Sequence, residues 1–152
     1  MITLAILEQL AADNSAFVID ENLFWEEAPL QHDGNPAEGT WIVTRGGSAA
    51  NTPKGHNLRT TVDFYVAYAD KVETETALAG IAEWLRSNRY ICLLRGPHDD
   101  HTEVIGGDFS YSFRNVRILP TTTPVNNGTT ENGNIVKIES ADIIYDLDDV
   151  IS

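Results

Sequence analysis

The chain has 152 residues, of which 42% are hydrophobic, and a formal net charge of −13 from 23 acidic and 10 basic residues. This length fits one domain, spanning residues 1–152, that can bury a core without disulfides or structural metals. The acidic excess argues against a general DNA- or RNA-binding surface, because neutralising phosphates requires clustered Lys and Arg.

The first 57 residues predict one helix and one or two strands. Leu4, Leu7 and Ala11 recur at helical spacing and mark a buried stripe. Trp41 lies among β-branched residues, which favour a strand. In chain order, the predicted elements are a helix at 3–12, a short strand or extended link at 17–19, an acidic, turn-rich segment at 20–40, a strand at 40–44 and a flexible, glycine-rich loop at 45–57.

A strand at 58–69 and the helix that follows it have the clearest patterns. The strand alternates strictly, with one face from Val62 to Tyr68 apolar and the other carrying polar residues. Asp70 can cap the helix, which we expect to end near Asn88. A helical stripe matches the apolar strand face, so one shared core is predicted for Val62, Phe64, Val66, Leu78, Ile81 and Leu85.

The remainder of the chain predicts three further strands separated by polar segments. In order, these are a short buried strand at 91–94, a charged turn at 96–107, a strand at 108–119, a long polar loop at 120–134 and a strand at 135–146 before an acidic tail. A bulge near Arg114-Asn115 would bring the aromatic and aliphatic residues of strand 108–119 onto one face. Cys92 is expected to be a buried, inert thiol.

No catalytic pattern stands out. His98, Asp99, Asp100 and His101 form a run that could hold a divalent metal, but their polar, proline-containing setting favours a solvated loop. No nucleophile–base pair is evident. We therefore predict no enzymatic activity, no cofactor and no metal, and keep a small metal-binding domain or enzyme using His98 and His101 as an alternative.

We recognise no targeting or membrane-spanning signal in the sequence. No apolar stretch approaches the roughly 20 residues that span a bilayer. The N-terminus has neither the basic region nor the cleavage site of a signal peptide. We expect a chain that folds in a cytoplasm and does not contact a membrane.

The order of elements resembles a known family. The sequence Trp41-Ile42-Val43, a long loop, the strand LRTTVDFYVAY at 58–68 and the helix VETETALAGIAEWL at 72–85 look like the tail terminator proteins of tailed bacteriophages, also called tail completion, minor tail or neck proteins. The resemblance implies an α+β fold with a mixed, mainly antiparallel sheet flanked by two helices.

The resemblance also implies a function. Such a protein is made in the bacterial host cytoplasm and resides in the tail or neck of the virion. There it forms a hexameric ring that caps the tail tube, stops tube polymerisation and joins the tail to the head–tail connector, or stopper. DNA passes through the ring without specific binding. Another neck, connector or minor capsid protein is the main alternative.

Interface candidates come from aromatic residues beside polar segments and from the long loops at 45–57 and 120–134. The two tryptophans could anchor an interface or cap the edge of the core. Three cations make the first loop locally basic, so it could meet an acidic partner, although both loops could also be merely mobile. The candidates are Trp25, Trp41, Arg45, Lys54, Arg59, Pro124 and Asn127.

Overall fold

The computed structural model describes residues 2–26, 37–48, 57–96, 110–121, 128–129 and 134–150. Within them, the chain forms two helices and seven strands. The elements are α1 (Ile2–Asp13), β1 (Leu23–Trp25), β2 (Gly39–Ser48), β3 (Leu58–Tyr68), α2 (Lys71–Ser87), β4 (Tyr90–Gly96), β5 (Ser110–Thr121), β6 (Gly128–Thr129) and β7 (Ile135–Val150).

The strands form one mixed sheet in the order β1-β2-β3-β7-β5-β4, and the short β6 pairs with β7 beside this path. The pair β1–β2 is parallel, and the other pairs are antiparallel. The long β7 therefore lies in the middle of the sheet, between β3 and β5. The predicted α+β class, with a mixed and mainly antiparallel sheet flanked by helices, is confirmed.

Both helices pack on the same face of the sheet, called here the inner face. Helix α1 contacts β1 and β2 at one end of the strand order and β4 at the other end. The sheet therefore curves around α1. Eight of its twelve residues are buried, as expected for a helix that is apolar on most sides. Helix α2 lies over β3, β7 and β5.

The ends of α2 agree with the sequence prediction. Oδ1 of Asp70 accepts a hydrogen bond from the backbone N–H of Val72 at 2.9 Å, and Asn88 closes the helix by donating its backbone N–H to Trp84 O. The indole Nε1 of Trp84 donates to Oδ2 of Asp13 at 2.8 Å. This bond ties α2 to the end of α1.

The predicted core and bulge are both confirmed. Of the six predicted core residues, five are fully buried and Leu78 is half-buried against the same cluster. The pairing of β5 with β7 shifts register between Arg114 and Arg117, and Asn115 has a φ of 51°. This bulge places Phe113 and Val116 on the inner face together, and both are buried.

Strand β4 corrects a prediction. It pairs with β5 at the end of the strand order, and it is only partly buried. Tyr90 and Leu93 are 59% and 43% exposed, and Cys92 is exposed rather than buried. Apolar composition alone does not bury a strand that lies at the end of a sheet.

Several predicted boundaries were also wrong. Strand β2 continues to Ser48, into the predicted loop at 45–57, because its pairing with β3 resumes beyond an irregularity at Thr44–Gly46. Similarly, β5 reaches Thr121, and β7 continues to Val150, through most of the predicted acidic tail. Strand β1 lies inside the segment predicted to be turn-rich. Backbone pairing with a neighbouring strand extends each element beyond its own side-chain pattern.

Candidate functional site

The candidate site is the outer face of the sheet, opposite α1 and α2. Successive strand residues point to opposite faces, so the residues that alternate with buried Phe64 point outward. Tyr65 is paired with Trp41 on β2 and with Ile138 on β7. Asp63 is paired with Val43 on β2 and with Ser140 on β7. Within the described parts of the chain, no helix packs on this face. The outer face is centred on Trp41, Val43, Arg45, Arg59, Thr61, Asp63, Tyr65, Leu119, Ile138, Ser140 and Asp142.

An aromatic pair occupies one part of the outer face. The rings of Trp41 and Tyr65 stack with their centroids 5.4 Å apart and an interplanar angle of 4°. Ile138 lies next to Tyr65 on the neighbouring strand, and all three side chains are half-buried. Leu119 adds a large aliphatic side chain that is 49% exposed. Rigid aromatic and aliphatic surface of this kind is typical of contact sites between proteins.

A buried carboxylate lies beside the aromatic pair. Asp63 is only 5% exposed although it points away from the helices. Its Oδ2 is 3.1 Å from Nε of Arg45, and its Oδ1 accepts a hydrogen bond from the hydroxyl of Ser140. The Arg45 side chain remains 58% exposed. The carboxylate thus holds an arginine whose guanidinium can still reach a partner.

A second ion pair lies further along β3. Nη2 of Arg59 is 2.6 Å from Oδ2 of Asp142, and the hydroxyl of Thr61 donates to Oδ1 of the same carboxylate at 2.8 Å. The hydrogen bond from Arg59, followed by the smaller effect of the one from Thr61, holds the pKa of Asp142 below its usual value. Partial burial of the carboxylate acts in the opposite direction. Arg59 is 54% exposed in its side chain.

A chain of hydrogen bonds continues across the sheet towards β4. Nη2 of Arg117 donates to Oδ1 of Asn57 at 2.8 Å, and the backbone N–H of Asn57 donates to Asp146 at 2.9 Å. Asn115 also donates to Asp146, at 3.0 Å, and accepts from the hydroxyl of Tyr90 at 3.1 Å. These hydrogen bonds connect polar side chains of β4, β5 and β7 with Asn57, which directly precedes β3.

The structure brings together some interface candidates and separates others. Trp41, Arg45 and Arg59 share the outer face. Trp25 does not, because its Nε1 donates to the hydroxyl of Thr3 in α1 at 3.0 Å and its ring packs against the core. Trp25 therefore caps the core edge, the second of the two roles predicted for it.

The other candidates lie outside the described residues. These are Lys54, Pro124, Asn127 and the run His98 to His101. Among the residues that the structure does describe, no group of three or more His, Cys, Asp or Glu could hold a metal.

Part of the outer face was not predicted from the sequence. Tyr65, Ser140 and Asp142 were not singled out as site residues. The alternation of β3 did place Asp63 and Tyr65 on one face, and this was the available signal. The pairing of that face with β2 and β7 could not be inferred from spacing within one strand.

Comparison of the chain with protein-family models, with curated proteins and with solved structures finds no match. No helix among the described residues is long and apolar enough to cross a membrane.

Proposed function

We propose that the chain is a virion structural protein, a tail terminator of a tailed bacteriophage. In this proposal it forms a ring at the head-proximal end of the tail tube, stops tube polymerisation and joins the tail to the head connector. It has no enzymatic activity and needs no cofactor. Its partners are other copies of itself, the tail tube protein and the connector or stopper protein.

The outer face is the observation that carries this proposal. Trp41 and Tyr65 stack, half-buried, on a sheet face that no described helix covers, so part of this aromatic surface is available to a partner. Trp, Tyr and Arg are the residues that most often dominate binding energy at protein interfaces, and Trp41, Tyr65 and Arg45 lie together here. An apolar patch with a polar border is the usual mark of a protein-binding surface.

A ring is one way in which such a surface could be used. If the outer face binds a different surface of the next copy, the contact is heterologous, and such contacts form a ring when the rotation between copies closes and a filament when it does not. The number six comes from the resemblance to tail terminators. The charge of −13 per chain opposes assembly by self-repulsion, so we expect ring formation to be favoured by salt, which screens charges beyond about 10 Å at 0.1 M, or by the tail tube.

The same charge accounts for the passage of DNA in this proposal. A ring of acidic subunits repels phosphate, because nucleic-acid affinity grows with the number of phosphates that Lys and Arg neutralise. DNA is therefore expected to slide through the opening without being held.

The test combines native mass spectrometry and negative-stain microscopy of the chain, at low and high salt, with and without the tail tube protein of the same virus. We expect closed six-membered rings and tubes capped at one end. The variants Trp41→Ala and Arg45→Ala should weaken ring formation. Arg89→Ala is the matched control, since it removes one exposed positive charge outside the outer face.

Two results would refute the proposal. One is a chain that is monomeric within the purified virion. The other is a chain that binds the portal or connector but not the tube, which would place it in another class of neck protein. A monomer in dilute solution with capped tubes would still support it, because the tube itself can promote closure.

A further inference from the structure

Strand β4 (Tyr90–Gly96) forms one end of the sheet, and its free side is called here the β4 edge. Within the described residues, β4 pairs with β5 alone. The carbonyl of Arg89, directly before β4, accepts a hydrogen bond from the backbone N–H of Ile118 in β5 at 3.0 Å. Because antiparallel partners alternate between hydrogen-bonded and open pairs, the N–H and C=O of the next residue, Tyr90, point away from β5. The β4 edge therefore offers backbone donors and acceptors that another extended chain can pair with.

The β4 edge also carries exposed apolar side chains. Tyr90 and Leu93 are among the exposed large hydrophobic residues of the chain, whereas Leu94 is buried in the core. The hydroxyl of Tyr90 donates to Oδ1 of Asn115 in β5 at 3.1 Å, which positions the ring without covering it. From Tyr90 to Leu94 the strand has no proline and no charged residue, although edge strands commonly use both to resist pairing.

The charge around β4 is opposite in sign to that of the whole chain. Residues 85–97 and 110–121 contain five of the ten basic residues and no Asp or Glu, although the chain has 23 acidic residues. The carboxylate of Asp146 lies on β7, on the far side of β5 from the β4 edge. The five basic residues are Arg86, Arg89, Arg95, Arg114 and Arg117.

Two of these arginines remain available to a partner. Arg86 and Arg89, which lie just before β4, are both exposed. Neither forms an ion pair with another described residue. A negatively charged segment is therefore attracted to the start of β4, and a positively charged one is repelled.

We propose that the β4 edge binds an extended, acidic segment of a partner protein as an additional strand of the sheet. Hydrogen bonds between the two backbones supply affinity in this mode of recognition, and alternate side chains supply specificity. Apolar side chains of the segment contact Tyr90 and Leu93, and its Asp or Glu residues pair with Arg86 or Arg89. The proposal does not rest on the tail-terminator function, because it uses only β4 and its surroundings.

The test starts with selection from a library of random 12-residue peptides displayed on a carrier, with the whole chain as target. The most enriched peptide is then synthesised in four forms and titrated by fluorescence anisotropy. One form is unmodified, and one has Asn and Gln in place of Asp and Glu. The other two are N-methylated at alternate residues, at the odd or at the even positions, which removes backbone donors without changing the side chains.

We expect the enriched peptides to combine Asp or Glu with large apolar residues. Neutralising the acidic residues should weaken binding about fivefold or more, since exposed ion pairs are lost. N-methylation should weaken binding about tenfold or more in one series and less than about twofold in the other, because successive N–H groups of a strand point to opposite sides. Exchange of the Tyr90 amide proton, measured by NMR, should slow about tenfold or more in the complex.

Two pairs of substitutions locate the binding site on the chain. The pair Tyr90→Ala/Leu93→Ala removes the exposed apolar side chains of β4 and should weaken binding of the unmodified peptide about fivefold or more. The control pair Val18→Ala/Val72→Ala removes two exposed apolar side chains that lie outside β4. It should change the affinity by less than about twofold.

Four outcomes would overturn the proposal. The first is an absence of enriched peptides, or enrichment of basic ones. The second is an equal effect of the two N-methylated series, which would exclude strand pairing. The third is equal weakening by the two pairs of substitutions. The fourth is dimerisation of the free chain that is lost in Tyr90→Ala/Leu93→Ala, which would assign the β4 edge to a second copy of the chain.

Discussion

Replacing Phe64 by alanine removes one of the two fully buried phenylalanine side chains of the described core. Phe64 lies in the middle of β3, paired on both sides by β2 and β7, and its ring is 0% exposed. Removing a buried Phe costs about 3–5 kcal/mol, because transfer energy is lost and a cavity remains. Ile81→Ala, from the helix that faces this strand, should cost about 2–5 kcal/mol.

These losses are large for a domain of this size. Total stability is typically about 5–15 kcal/mol, and each kcal/mol corresponds to about 2–4 °C in Tm at 150–250 residues. Phe64→Ala should therefore lower Tm by about 6–20 °C. Urea denaturation followed by tryptophan fluorescence should show a lower midpoint with an unchanged slope, as for a pure loss of stability.

The control is Val72→Ala, which truncates a side chain that is 70% exposed. It should change stability by no more than about 0.5 kcal/mol. If Phe64→Ala and Ile81→Ala both left the melting temperature unchanged, the assignment of strand and helix faces to one core would be wrong.

Three further predictions concern a cap, a carboxylate and metals. Asp70→Ala should lower the free energy of unfolding by about 1 kcal/mol, since it removes the acceptor for the Val72 N–H, whereas Asp70→Gly should lower it by only a few tenths of a kcal/mol. Equal losses of stability in the two variants, measured by urea denaturation, would contradict a capping role for Asp70. Hydrogen bonds from Arg59 and Thr61 lower the pKa of Asp142 in the folded chain. The ionised carboxylate therefore stabilises the fold at pH values above its unfolded pKa of about 3.9. This stabilisation is lost as the pH falls through the lower pKa that Asp142 has in the folded state. The stability difference between the wild type and Asp142→Asn should thus be present at neutral pH and shrink in acid, and a difference independent of pH would refute the assignment. A chelator should leave Tm unchanged, and a chelator-sensitive Tm abolished by His98→Ala/His101→Ala would show that the histidine run binds a metal.

Local patterns were enough to predict the elements whose side chains carry a complete periodic signal. The strand at 58–69 alternates without interruption, and α2 has a cap at Asp70 and an end at Asn88, so both were found almost to the residue. The bulge at Arg114–Asn115 was predictable because aromatic and aliphatic residues of β5 would otherwise point to opposite faces.

Features that depend on distant partners were not predictable in the same way. Strand β1 has three residues, and its pairing with β2 is set by tertiary contacts. The exposure of Cys92 depends on the position of β4 at the end of the strand order. The outer face joins residues of β2, β3, β5 and β7. No spacing within a single element contains this information.

The central position of β7 determines the order in which the fold can be completed. During synthesis, β3 and β5 emerge before their common neighbour exists. Until Ile135–Val150 has left the ribosome, these strands present unpaired edges, which are prone to join other chains. The core cannot close from either side, since Ala141 and Ile143 supply its middle. The pairing of β7 with β3 joins residues that are far apart in sequence, and contacts of high sequence separation are expected to make folding slow.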